Sequence, residues 1–315
     1  MIASRFIACA MTLALAGVVH AAGYPEKPVQ YIIPFPAGGE SDIAARFQQQ
    51  AFAQKFKQEM IVINRAGGGG APVWQQLNSL PADGYTIAGI NLPHIVLQPL
   101  EGTVQYKTED MTPVYFFHYT PDALIVNADS PYKSFADLVK AAKEKPGALT
   151  IAGSSLNSAN HAAHERFNQV FGVKTTYVPF KGTGDLIASV LGGHVSATMS
   201  YTTLAIQQKA KMRVLAVATE KRLPQFPDAP TFTELGVKWV DGAYRGVAVP
   251  KSTPENVRKQ VSDMMDAINK DPELRKRMVD GGFEVTDVTY EQMPAFMKER
   301  TQEYMGTAKL MGLVK

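Results

Sequence analysis

The sequence predicts an α/β fold built as two domains, each a sheet flanked by helices. Two observations carry this expectation. Short β-rich runs alternate with helical patterns for most of the 315 residues, the pattern of largely parallel sheets covered by helices. One strand–loop–helix plan also occurs twice, as "VQYIIPFPAGGESDIAARF" (29–47) and "LTIAGSSLNSANHAAHERF" (149–167). A chain of this length fills one large domain or two ordinary ones. Apolar residues make up 45% and charged residues 19%, which suits a globular chain and excludes a disordered one.

The first 22 residues read as a signal peptide. Arg5 supplies a positive start, "FIACAMTLALAGVV" an apolar stretch, and "VHAA" the small residues read at a cleavage site after Ala21 or Ala22. The apolar stretch is shorter than the roughly 20 residues a membrane span needs. The single cysteine, Cys9, is lost on cleavage. A cysteine-free exported chain fits the bacterial periplasm and folding without disulfides.

Strands are expected at "VQYIIPF" (29–35), "MIVIN" (60–64), "YTIAGI" (85–90), "PVYFF" (113–117), "ALIVN" (123–127), "LTIAG" (149–153), "TTYVPF" (175–180), "VSATMS" (195–200), "RVLAVAT" (213–219) and "RGVAVP" (245–250). Helices are expected at "SDIAARFQQQAFAQKF", opened by the capping residues Ser41 and Asp42, and at "SFADLVKAAKEK". From Pro254 onward the tail is mostly helical, with the proline near a first helical turn.

The formal charge of +3 is slight, and lysine and arginine are scattered, so nucleic acid is not an expected partner. "PAGGESD" (36–42) reads either as a backbone cradle for a carboxylate or phosphate, or as an ordinary turn whose glycines take positive φ. "RAGGGG" (65–70) lacks both nucleotide-loop spacings, because Pro72 stands where a last glycine is needed. In "GSSLNSANHAAHERF" (153–167), Ser154 and Ser155 either donate to a ligand or cap the helix. His161 reads as a ligand donor and His164 as a packing residue. A metal site would need more ligands, and H-E-x-x-H is absent. G-x-S-x-G is absent too, and no carboxylate pair stands out. No cofactor, metal or catalytic residue is expected. The aromatic run "VYFFHYTP" (114–121) reads as mostly strand core, with a pocket wall as the sharper alternative.

Six segments then occur in a telling order: "YPEKPVQYIIPFPAGGESDIAAR", "NRAGGGG", "PADGYTI", "VPFKGTGDLIASVLGGHV", "RVLAVATEKRLPQFPDAPTFTELG" and "VAVPKSTPENV". Together they resemble the motifs of the Bug-type extracytoplasmic solute receptors, the TctC-like binding proteins of tripartite tricarboxylate transporters. The resemblance runs from about Tyr24 to the C-terminus. It implies a two-domain clamshell related to type II periplasmic binding proteins, with two chain crossings at the hinge. It also implies a small organic carboxylate held in the cleft without chemistry, and separate membrane transporter subunits as partners. A monomer is expected.

On this reading domain 1 comprises 23–118 and 245–315, and domain 2 comprises 119–244. The crossings fall near "YTPDAL" and "DGAYRG". The implied ligand residues are Phe35, Ala37, Gly38, Gly39, Ser41 and Asp42 on one jaw. Gly153, Ser154, Ser155, Asn157, Asn160 and His161 are on the other, joined by Thr183, Tyr201 and Arg245. Three departures from the resembled pattern bear on the ligand. Glu40 stands where proline is usual, no acid lies near Tyr201, and Tyr244-Arg245 replaces Trp-Tyr. A lost acid and a gained arginine favour a second carboxylate over an ammonium group. The expectation is a dicarboxylate, with an aromatic one such as a phthalate isomer suggested by Tyr201, Tyr244 and "YFFHY" as stacking walls. Two alternatives remain at this point: a receptor presenting its ligand to a membrane sensor kinase, and a secreted α/β enzyme.

Overall fold

The structure is a computed structural model that describes residues 24–315; the signal peptide read at 1–22 lies outside the described residues. In chain order the elements are β1 (Val29–Ile33), α1 (Glu40–Phe56), β2 (Met60–Asn64), α2 (Ala71–Gln76), β3 (Thr86–Leu92), α3 (His94–Glu101) and β4 (Thr112–Asn127). There follow α4 (Phe135–Glu144), β5 (Thr150–Gly153), α5 (Ala159–Phe171), β6 (Thr176–Pro179), α6 (Thr183–Leu191), β7 (Ala197–Tyr201), α7 (Thr202–Gln208) and β8 (Met212–Val217). The chain ends with β9 (Gly242–Val249), α8 (Glu255–Asn269), α9 (Pro272–Asp280), β10 (Glu284–Val288) and α10 (Met293–Leu310).

The strands form one path in the order β2-β1-β3-β9-β4-β7-β5-β6, with β8 and β10 also paired to β4. The outer pairs are parallel, as the alternation predicts. The centre is antiparallel: β9 runs against both β3 and β4.

The two runs expected at 113–117 and 123–127 are one strand of 16 residues. A proline stands between them, a residue normally kept out of central strands. Pro121 sits where the strand changes partners, a place that tolerates a missing ladder donor. Residues 112–121 pair with β9, and 122–125 with β7. β10 was not anticipated. Its sequence, EVTDV, is too polar to signal a strand, and it pairs with the middle of β4 across a register shift.

Apolar side chains gather in separate cores. The largest draws on Val29–Phe117 and on Val247–Ala308, with Ala162 added. Smaller ones are built between Ala123 and Trp239. The carboxyl ends of β1, β3, β5 and β7 lead into segments that meet along one seam, where α/β sheets bind ligands.

At the start of β9, Gly242 faces Pro121 in register, and a Cβ there would fall inside the contact distance of the Thr120 carbonyl oxygen. Gly242→Ala is expected to destabilise the fold by about 1–3 kcal/mol, the usual cost of overpacking. Chemical denaturation checks this; unchanged stability would mean the two strands cross less closely.

Candidate functional site: a seam lined from both sides

The loop after β1 supplies the first wall. Phe35 packs edge-on against Trp74 at 6.2 Å and His94 at 5.6 Å between ring centroids. Gly38 takes φ of +80°, and its N–H donates to Asp42 Oδ2 at 3.0 Å. Gly39 is extended at φ −82°, so its smallness serves space: a Cβ would meet Thr183 Oγ1 at 3.0 Å. Ala37 and Gly38 are exposed. A Cβ on Gly184 would stand 2.5 Å from the Ala37 carbonyl oxygen, so the walls touch backbone to backbone here. Asp42 is not part of the cavity lining. It fastens the loop through Gly38 and pairs with Arg46 at 3.0 Å.

The loop after β5 supplies the second wall. Ser154 N–H donates to Asn160 Oδ1 at 3.0 Å, while the buried Ser154 Oγ and Asn160 Nδ2 have no partner. Ser155 Oγ and Asn157 Nδ2 are likewise unpartnered. Asn157 takes the left-handed conformation at φ 52°, which asparagine tolerates. The start of α5 thus presents several buried donors, and its first turn carries no acid. Ser155 abuts Gly69, which brings the "RAGGGG" loop to the seam.

Two expected residues of this wall do other work. The His161 ring accepts from Asn157 N–H at 3.1 Å and lies 4.6 Å from the Tyr177 ring, so it packs the loop; it is not among the cavity-lining residues. Gly153 backs onto Tyr177. His164 is a packing residue, bonded to Thr175 at 2.8 Å.

Charge enters through Arg245, only 3% exposed. Its Nε donates to Ser41 Oγ at 3.2 Å, its Nη1 to Thr120 Oγ1 and to the Ala243 carbonyl at 3.2 Å. The guanidinium lies 4.9 Å from the Tyr201 ring centroid. Glu40, also 3% exposed, faces it with Oε2 3.7 Å from Nη2. Glu40 also accepts from Thr183 Oγ1 and, at 3.1 Å, from Thr203 Oγ1.

The cavity between these groups measures about 20 Å³ and is lined by Phe35, Gly39, Glu40, Ser41, Asn91, His94, Ser154, Thr183, Tyr201 and Arg245. That is room for about one water. Asn91 and His94, absent from the expected residues, are brought in by their position at the carboxyl end of β3. Asn91 Nδ2 donates to Ser41 Oγ at 3.4 Å. Burial and then Arg245 lower the His94 pKa to about 3. The expected aromatic walls are mostly elsewhere. Tyr115, Phe116 and Phe117 lie in the main core, and Tyr244 stacks on Tyr119 at 5.2 Å and packs on Phe296. Tyr201 does reach the cavity.

His94 makes stability depend on pH. The unfolded imidazole titrates near 6.5 and the folded one near 3. Between those values the unfolded chain holds a proton the folded chain refuses, so stability falls as pH falls through this window, by at most about 1.4 kcal/mol per unit. His94→Gln should flatten the curve of unfolding free energy between pH 6 and 4; identical slopes would contradict the assignment. Arg245→Leu leaves Glu40 buried without its cation and should cost about 3–5 kcal/mol. In the Glu40→Gln, Arg245→Leu double variant the loss should be smaller than the sum of the single losses; simple additivity in denaturation experiments would show the two are uncoupled.

The chain belongs to the tripartite tricarboxylate transporter family receptors (TctC), whose family profile matches residues 44–313. Protein BugT of Bordetella pertussis is 28% identical over 307 residues, covering 96% of this chain and 94% of BugT. The structure of periplasmic binding protein BugD superposes with a TM-score of 0.85 at 27% identity, covering 92% of this chain and 99% of BugD. R. palustris Rpa4515 with adipate superposes at 0.86 with 26% identity, covering 92% and 98%. The fold is the α/β periplasmic-binding-protein fold that the sequence predicts. Among the described residues no helix is long and apolar enough to cross a membrane.

Proposed function

We propose that the chain is a periplasmic receptor that captures a small organic carboxylate in the seam, without turning it over, and delivers it to a tripartite tricarboxylate-type transporter in the membrane. One observation carries the reading: Ser154, whose buried Oγ has no partner, lines the same cavity as Arg245 just ahead of the α5 start. A carboxylate at a helix start gains charge-assisted hydrogen bonds and a favourable dipole end. The similarity to Rpa4515, solved with adipate, supports the same ligand class.

On this reading 23–118 with 245–315 is one lobe and 119–244 the other. They hinge where β4 changes partners and β9 begins. A ligand touching both lobes binds the shut form better than the open one, and that difference drives closure. Such a receptor works as a monomer. The dicarboxylate expectation assigns the second carboxylate to Arg245; the aromatic version keeps Tyr201 and loses Tyr244 and "YFFHY" as walls.

A thermal-shift panel of mono-, di- and tricarboxylates, amino acids and neutral sugars tests the reading. An acid should stabilise the chain by about 2.7 kcal/mol at a hundredfold excess over Kd. Ser154→Ala should weaken that acid by roughly 0.5–2 kcal/mol in calorimetry. Stabilisation by a sugar and by no acid would overturn the proposal.

A further inference from the structure

We propose that Glu40 is an internal carboxylate occupying the arginine end of the site. The site then takes an organic acid with one ionised carboxylate and a hydrogen-bond donor, hydroxyl or ammonium, at its far end. This rests on the carboxylate reading above and replaces its dicarboxylate version.

The arginine is already committed. Three of its partners are the Ser41 and Thr120 hydroxyls and the Ala243 carbonyl, and Glu40 stands 3.7 Å from Nη2. Glu40 is held from across the seam by the hydroxyls of Thr183 and Thr203. The cavity lining therefore contains one cation and one anion, since His94 is held neutral by burial. A second ionised carboxylate brought beside Arg245 would be buried against Glu40 with no cation left to answer it. Like charges at close range and uncompensated buried charge are both costly.

The Ser154 side of the cavity differs. Among the helix starts at the seam, α1 carries Glu40 and Asp42 in its first turn and α6 carries Asp185, whereas α5 carries no acid. Ser154 Oγ and Asn160 Nδ2, in residues 3% and 0% exposed, are unpartnered there. The ligand's single carboxylate belongs at that end. A carboxylate has about four lone-pair sites, and the two threonines leave Glu40 with acceptor capacity. A hydroxyl or ammonium at the far end of the ligand satisfies it; a methyl group or a second carboxylate does not.

The test is calorimetry at pH 7 on two acid series: butyrate, succinate, 4-hydroxybutyrate and 4-aminobutyrate, then hexanoate, adipate, 6-hydroxyhexanoate and 6-aminohexanoate. Wild type, Glu40→Gln and Glu40→Pro are compared, each checked by its melting curve. Proline is a sound second variant, because position 40 is the first of α1 and Gly39 before it is extended. In the better-fitting series, wild type should bind the hydroxy or amino acid at least tenfold more tightly than the diacid. Either folded variant should move that ratio at least tenfold toward the diacid. A diacid bound by wild type as tightly as its hydroxy and amino counterparts, or a ratio unmoved in a folded variant, overturns the role of Glu40 alone. If no acid binds any of the three proteins, the carboxylate reading fails and the inference falls with it.

Discussion

Arg245 is a full charge placed almost out of reach of water, and the seam is arranged around answering it. Removing a guanidinium from solvent costs several kcal/mol unless its donors are used and its charge is balanced. Here hydroxyls, a carbonyl and the Tyr201 ring take the donors and the face, and Glu40 supplies the opposite charge. Because Glu40 is gripped by Thr183 and Thr203, the charge balance spans the seam. The same contacts explain why small residues crowd the opposing walls. Gly39, Gly182 and Gly184 let two loops approach closely enough for a threonine hydroxyl to reach the Glu40 carboxylate.

Placement of the arginine follows from the sheet. β9 lies between β3 and β4, so Arg245 stands opposite Asn91 on one side and His118 on the other. A strand held on both sides fixes the base of a long side chain, and precision at a site depends on that kind of support. β4 runs past the seam and pairs with different strands at its two ends. On the proposed two-lobe reading, the site is built on the two strands that would carry any rotation between lobes. A few residues near Tyr119–Asp122 and Gly242–Ala243 would absorb it.

Local chemistry was legible in the sequence, and encounters between distant segments were not. The two strand–loop–helix units announce themselves through glycines, capping residues and apolar runs. Phe35, Gly39, Ser41, Ser154 and Thr183 of those units and their neighbour loop do line the cavity. Arg245 and Tyr201 line it as well. Thr203 carries no local signal, because what brings it in is the meeting of two distant segments. Glu40 was conspicuous as a departure, but its consequence depends on Thr183 and Thr203, more than 140 residues away. His161 and Asp42 lie outside the cavity lining and bond local backbone, as polar side chains at helix starts often do. The aromatic run is core because β4 is buried along nearly its whole length.

Arg245 is balanced from within by Glu40, which on the proposed reading leaves the start of α5 for the ligand's carboxylate. A crystal structure of the chain grown with its best-binding monocarboxylate tests this most directly. The ligand carboxylate should sit on Ser154 and the α5 start, with Glu40 still between Thr183, Thr203 and Arg245. A ligand carboxylate seated on Arg245, with Glu40 swung out of the seam, would contradict it.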